Sequence, residues 1–141
     1  MTDLEHVTSV WDAMKPKSPV YAHFLPDLVV TTKGLVKARM QVQMIHLNSK
    51  GSLHGTVSAC LIDWGGGMAI ASHGLEKTGV STDIHVTCLS TAKEGDWLEI
   101  ECKADRVGRT LGYTTVSIYK VVDGKPGPMV SQGMHTKYIK Q

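Results

Sequence analysis

Between Leu53 and Ala71 only two side chains are strongly ionisable, His54 and Asp63. The stretch Leu61-Ile-Asp-Trp-Gly-Gly-Gly-Met-Ala-Ile70 places the aspartate beside three consecutive glycines in an otherwise apolar run. Such a carboxylate has two readings. It is either a structural group satisfied by backbone or hydroxyl donors, or a base or nucleophile at a reaction centre. An unpaired buried charge is costly, and perturbed acids cluster at active sites. The glycines do not form a phosphate loop, because no Gly-Lys-Ser/Thr follows and no strand–turn–helix pattern surrounds them. Metal hydrolysis has no support either: the seven histidines are dispersed without His-Glu-x-x-His, and the three cysteines lack C-x-x-C spacing.

The element that carries Asp63 follows from the same run. Its length makes a membrane span worth weighing. Asp63, four glycines and two Ser/Thr residues near its start argue against one, and the chain offers no second span. A run that is apolar all round reads instead as a helix buried on nearly every side. Three glycines in a helix cost about 3 kcal/mol relative to alanine. Close approach of another backbone, in a sheet or in a partner chain, would offset that.

The surrounding elements are legible from periodicity. Leu4, Val7, Val10, Trp11 and Met14 recur at helical spacing, and Lys15-Pro-Lys-Ser-Pro19 ends that helix. Strands are expected over 27–32, 36–44, 80–88, 98–105, 111–121 and 129–139, with turns at 33–34, 106–109 and 123–128. In the strand over 80–88, Val80, Thr82, Ile84, Val86 and Cys88 form one face, and Ser81, Asp83, His85 and Thr87 the wet one. Closely linked late strands argue for an antiparallel sheet. The expected architecture is α+β, one long helix wrapped by a curved antiparallel sheet.

The 141 residues fit one domain spanning 1–141, with 1–29 as an N-terminal helix and lead-in. A net charge of +2 gives no reason to expect nucleic acid or a membrane surface as partner. Two of the cysteines, Cys60, Cys88 and Cys102, fall in apolar patterns, so buried, reduced thiols are expected. The N-terminus has early acids and no signal-peptide core. The expected compartment is the cytoplasm, with the mitochondrion as the alternative.

The string Asn48-x-x-Gly51-x-x-His54-Gly55, followed by Asp63, is joined downstream by Gly79-Val-Ser-Thr-Asp83 and Ser90-Thr-Ala-Lys93. Arg106-Val-Gly-Arg-Thr110 and Gln132-Gly-Met-His-Thr-Lys137 complete the series. In this order, over roughly residues 30 to 140, the chain resembles the hotdog-fold acyl-CoA thioesterases. Within them it is most similar to the branch of the phenylacetic-acid-degradation thioesterase and thioesterase superfamily member 2. The resemblance implies the hotdog fold, an acyl-CoA substrate, no cofactor beyond the coenzyme A of the substrate, and a homodimer that often pairs into a homotetramer. Two positions depart from the family pattern: Thr56 replaces the second glycine of His-Gly-Gly, and Thr91 replaces the proline of Ser-Pro-Ala-Lys.

The residues suit that chemistry. A thiolate leaving group has a pKa near the ~8.5 of cysteine, so a carboxylate and an oxyanion donor are a sufficient minimum. Gly55 stands at the expected start of the long helix, where its N–H is unpaired and the helix dipole favours developing negative charge. Asp63 is the family's acid, acting as general base on water or attacking directly to form an anhydride. Gly55 and Asp63 are eight residues apart, about 12 Å along one helix and roughly 80° around it. Two groups meeting at one carbonyl must each lie within about 3 Å of it or of its water. If both serve one site, two chains must contribute.

By resemblance Asn48 orients the attacking water, His54 supports the loop and thioester, and Ser81 assists from the strand opposite. Each has a plainer role: Asn48 closing a turn, His54 starting a helix, Ser81 lying on a wet strand face. Asp83, Lys93, Arg106, Gly108, Arg109, Thr110 and Lys137 sit where the family binds coenzyme A, whose phosphates need cations and N–H donors. Rivals within the fold are a hydratase or dehydratase using His54 and Asp63, and a non-catalytic acyl-CoA-binding or scaffold protein.

Overall fold

The computed structural model describes residues 1–24 and 26–140. Helix α1, Asp3–Met14, starts at a capping box in which Thr2 accepts from Glu5 N–H and the Glu5 carboxylate accepts from Thr2 N–H. Its buried residues are Val7 and Trp11. The Trp11 ring meets Trp64 of the central helix edge-on at 5.4 Å and Tyr21 at 5.9 Å. The lead-in is thereby anchored directly to the helix that bears Asp63.

Six strands, β1 (Asp27–Thr32), β2 (Leu35–Gln41), β3 (Val80–Cys88), β4 (Trp97–Val107), β5 (Leu111–Val122) and β6 (Lys125–Tyr138), form one antiparallel sheet in the order β1-β2-β4-β5-β6-β3. The central helix α2, Gly55–Ala71, packs against β2, β3, β4, β5 and β6. Register shifts interrupt the β1/β2, β3/β6, β4/β5 and β5/β6 ladders, and such bulges bend a sheet around what it covers. This is the helix-in-sheet hotdog arrangement.

The glycine triplet is packed on the sheet. A Cβ on Gly65 would stand 2.8 Å from the Cys102 thiol and 3.0 Å from Val116. One on Gly66 would collide with the His135 ring and come within 2.9 Å of the Thr114 hydroxyl. At Gly67 it would lie 3.6 Å from Lys137 Nζ. Side chains of β4, β5 and β6 therefore fill the helix's thin face. From Leu61 to Ala71 every residue except Asp63 is buried.

Several sequence expectations are corrected. β2 ends at Gln41, because Val42 pairs instead with the loop at Gly95 and Asp96, and Met44 opens a 3₁₀ turn. β4 runs on through Val107, so the turn expected at 106–109 is the connection at 108–110. The expected six-residue turn is two residues, Asp123 and Gly124, both at positive φ (52° and 77°), the geometry that suits a tight hairpin. β3 is an edge strand with almost no buried residue, and Cys88 on it is exposed. Cys60 is half-buried, and only Cys102 is fully buried.

Gly66→Ala is expected to destabilise the fold by about 1–3 kcal/mol despite its better helix propensity, because the methyl overpacks against His135 and Thr114. Urea unfolding of the two proteins measures this, and an equally stable variant would refute the packing role.

Candidate active site

Asp63 leaves the buried face of α2 at the level of β3 and β6. Tyr21 Oη donates to its Oδ2 at 2.9 Å, and Ser81 Oγ reaches its Oδ1 at 3.3 Å. His135 Nε2 lies 2.7 Å from the Ser81 hydroxyl and 3.6 Å from Asp63 Oδ1, so the serine bridges imidazole and carboxylate. The Asp63 side chain keeps 36% exposure, whereas His135 is fully buried.

The neighbours respond to burial and to this carboxylate. Desolvation pushes the Tyr21 phenol far above its ordinary value, and the adjacent Asp63 adds to that, so Tyr21 stays a protonated donor. Burial likewise raises the Cys60 thiol, with Asp63 contributing. Burial lowers His135, as does Lys137, against upward pulls from Asp63, the Ile62 backbone and Asp83. Burial lowers Lys137 too, opposed by Asp63.

Ser81 reaches Asp63 because of a bulge. The β3/β6 register shifts between Ser81 and Asp83. Beyond it Ile84, Val86 and Cys88 pair with His135, Gly133 and Ser131 on the helix side. Simple alternation would leave Ser81 on the opposite face. The extra residue, Thr82, turns Ser81 inward with them.

At the start of α2, His54 is the N-cap: its Nδ1 accepts from the Thr56 N–H at 3.1 Å and lies 2.8 Å from the Thr56 hydroxyl. The departure at Thr56 thus makes a specific contact with the cap. The Gly55 N–H meets no acceptor among the described residues, and a Cβ there would lie 3.7 Å from Cys88 Sγ. Asn48 closes the preceding turn, its Oδ1 accepting from the N–H groups of Lys50 and Ser52. A cavity of about 260 Å³ opens beside this helix start, lined by Phe24, Ile45, Leu47 and Val57 with His54 and Thr56.

The candidate coenzyme A residues separate. Arg106, Gly108, Arg109 and Thr110 are exposed around the β4–β5 connection, and Lys93 is exposed in the loop before β4. The length of β4 between them is roughly 30 Å, too far to grip one phosphate cluster within one chain. Asp83 is exposed on edge strand β3 and accepts from the Thr82 hydroxyl. Lys137, though paired in register with Gly112 near the connection, is buried and turned inward toward Gly67.

Sequence reading did not assign Tyr21 or His135. His135 lay in the quoted string Gln132–Lys137, and its phase with the inward positions of β6 was the available signal. Tyr21 sits in the lead-in, where no spacing ties it to Asp63. Among the described residues no group of three or more His, Cys, Asp or Glu is placed to hold a metal, and no helix is long and apolar enough to cross a membrane.

Residues 50–126, more than half of the chain, match the thioesterase superfamily. The chain belongs to that family. Its class is therefore thioester hydrolase. Human acyl-coenzyme A thioesterase 13 is 35% identical over 112 residues, covering 79% of this chain and 78% of the relative. Zebra fish thioesterase superfamily member 2 superposes with a TM-score of 0.83 at 33% identity, over 98% of each chain. The Streptococcus mutans protein smu.793, solved bound to acetyl CoA, gives 0.73 at 26% identity, over 80% of this chain and 86% of that one. The match to the superfamily includes Gly55, Asp63 and Ser81 and leaves out Tyr21, Asn48, His135 and Lys137.

Because the folded value of His135 lies below the ordinary 6.5, the unfolded chain takes up a proton that the folded one resists as pH falls below neutrality. That contribution to stability is complete above about 6.5 and is lost progressively on acidification. Urea unfolding at pH 7.5 and 5.5 is expected to show a smaller acid-side loss in His135→Gln than in the wild type.

Proposed function

We propose that this protein hydrolyses the thioester of fatty or aryl acyl-CoA to the free acid and coenzyme A. The observation that carries the reading is Asp63, the single residue from Leu61 to Ala71 that is not buried, with its carboxylate fixed by hydroxyl donors. The Gly55 N–H receives the thioester oxygen as it gains charge. Asp63 either takes a proton from the attacking water or itself attacks the carbonyl. In the first course, collapse of the tetrahedral adduct breaks the C–S bond and releases the thiolate. In the second, the thiolate leaves with formation of an anhydride, which water then cleaves. Neither course requires a cofactor.

Both groups border edge strand β3, Asp63 through Ser81 at one end and Gly55 through Cys88 at the other. A two-fold antiparallel pairing of β3 with a second copy, centred on His85, sets Ser81 opposite the partner's Cys88, because the bulge at Thr82 absorbs one residue. Asp63 of one chain then faces the Gly55 N–H of the other. This satisfies the 12 Å separation that one helix imposes, about eight residues at 1.5 Å each. The free edge and exposed faces of β3 support such a homodimer, and pairing of dimers into a homotetramer is the family's further step.

The remaining residues take roles in this frame. Asn48 offers its amide nitrogen to the water and His54 its Nε2–H to the thioester region. Lys137 enters as a cation beside the carboxylate. Lys93, from one chain, and Arg106, Gly108, Arg109 and Thr110, from another, hold the nucleotide phosphates, with Asp83 at the strand between. The apolar cavity at Phe24, Ile45, Leu47 and Val57 suits an acyl chain or ring. The acetyl CoA bound by the Streptococcus mutans relative supports a coenzyme A thioester as ligand. Residues 1–141 act as one domain, since α1 is packed onto α2 through Trp11. Cytoplasmic location is the working assignment, mitochondrial the alternative.

The wild type is expected to release free thiol from a panel of short, long and aromatic acyl-CoAs. Asp63→Asn should lower kcat by about 10²–10⁴-fold. Equal rates would remove Asp63 from the mechanism, and no release from any substrate would leave a binding protein. Gly55→Pro removes the proposed oxyanion donor and puts the ring Cδ where its hydrogen stood. Proline is tolerated at the first helical position, and His54 before it is already extended (φ −69°, ψ 136°). A loss of about 10²–10³-fold with an intact fold is expected. Co-expressing the two variants should restore about a quarter of wild-type activity, the statistical share of sites with both groups intact in a two-fold dimer. No recovery would refute the shared site.

A further inference from the structure

We infer that Tyr21, outside the 50–126 match to the thioesterase superfamily, is a positioning residue for Asp63, and that the N-terminal lead-in is therefore a working part of the active site. The inference rests on the proposed role of Asp63. Tyr21 lies on the 3₁₀ turn Tyr21–His23 between α1 and β1, and its hydroxyl donates to Asp63 Oδ2 at 2.9 Å. Its ring is fixed from behind by Trp11, itself buried and packed on Trp64, the residue after Asp63. The path from α1 to the carboxylate thus runs through rigid aromatic contacts.

The two carboxylate oxygens are held by different parts of the chain. Oδ1 faces Ser81 and His135 from β3 and β6. Oδ2 accepts from Tyr21, contributed by the lead-in. With one donor on each oxygen the carboxylate plane cannot turn freely about its Cβ–Cγ bond, and each oxygen retains a lone pair for water or for attack on a carbonyl. Deleting the Tyr21 hydroxyl leaves the plane hinged on Ser81 alone.

Other charged or titratable groups facing Asp63 are Cys60 one turn earlier on α2, and His135 and Lys137 on β6, with Asp83 of β3 acting on His135. None of them contacts Oδ2, so the tyrosine's contribution is separable from theirs. Tyr21→Phe removes the hydroxyl and keeps the ring against Trp11, so the fold is expected to stay intact.

The test compares kcat and KM for thiol release from acyl-CoA in the wild type and Tyr21→Phe, with thermal unfolding as a check on the fold. The expected result is a kcat about tenfold lower, with KM within about twofold and an unfolding temperature close to that of the wild type. A kcat equal to that of the wild type, or a loss carried by KM alone, would overturn the positioning role. A wild type that releases no thiol would instead remove the hydrolase reading on which the inference stands, so the two failures are distinguishable.

Discussion

The site depends on missing methyl groups. Where Gly66 faces β6, a Cβ would collide with the His135 imidazole, and at the next position, Gly67, it would lie in contact range of Lys137 Nζ. These are the two residues of β6 whose charge states are coupled to Asp63. Without the thin helix face, the His135 ring could not reach the level of the carboxylate from inside the sheet. The conformational penalty of three helical glycines, about 3 kcal/mol, is thus offset by packing that also builds the surroundings of the acid. Stability and chemistry share one contact surface.

That surface sets a polarity around Asp63. Tyr21 and Cys60 are held in their protonated forms, and His135 is held below its ordinary value by burial. The Asp63 carboxylate sits among these groups with Tyr21 and Ser81 donating to it. Such an arrangement suits a base or nucleophile whose hydrogen bonds orient it without taking its charge away. Its two donors come from the lead-in and β3, and the histidine behind Ser81 from β6, so the geometry exists only when the helix is seated in the sheet.

The long helix also limits what one chain can do. It puts an unpaired N–H at one end and a carboxylate two turns later, and a rigid rod cannot bring them to one carbonyl. A fold that uses both has to complete its site from a second copy. Edge strand β3, bare on one side and bordered at its two ends by the two groups, is the element through which a second copy would do so.

Much of this was written in local sequence. The lone carboxylate in an apolar run, the helical spacing of α1, the alternation of the strands and a turn beginning at Asp123 are short-range patterns, and short-range patterns survive in one dimension. Asp63 and Gly55 were legible because each is the only group of its kind at its place on α2. The inward turn of Ser81 was not. It follows from one extra residue in the β3/β6 ladder, and alternation alone cannot say where a bulge falls. The convergence of Tyr21, His135 and Lys137 on Asp63 was also decided by the tertiary structure. Those residues lie 42, 72 and 74 positions away along the chain; the glycine face of α2 admits His135 and Lys137, and Trp11 packed on Trp64 holds Tyr21, so only the assembled fold brings them together.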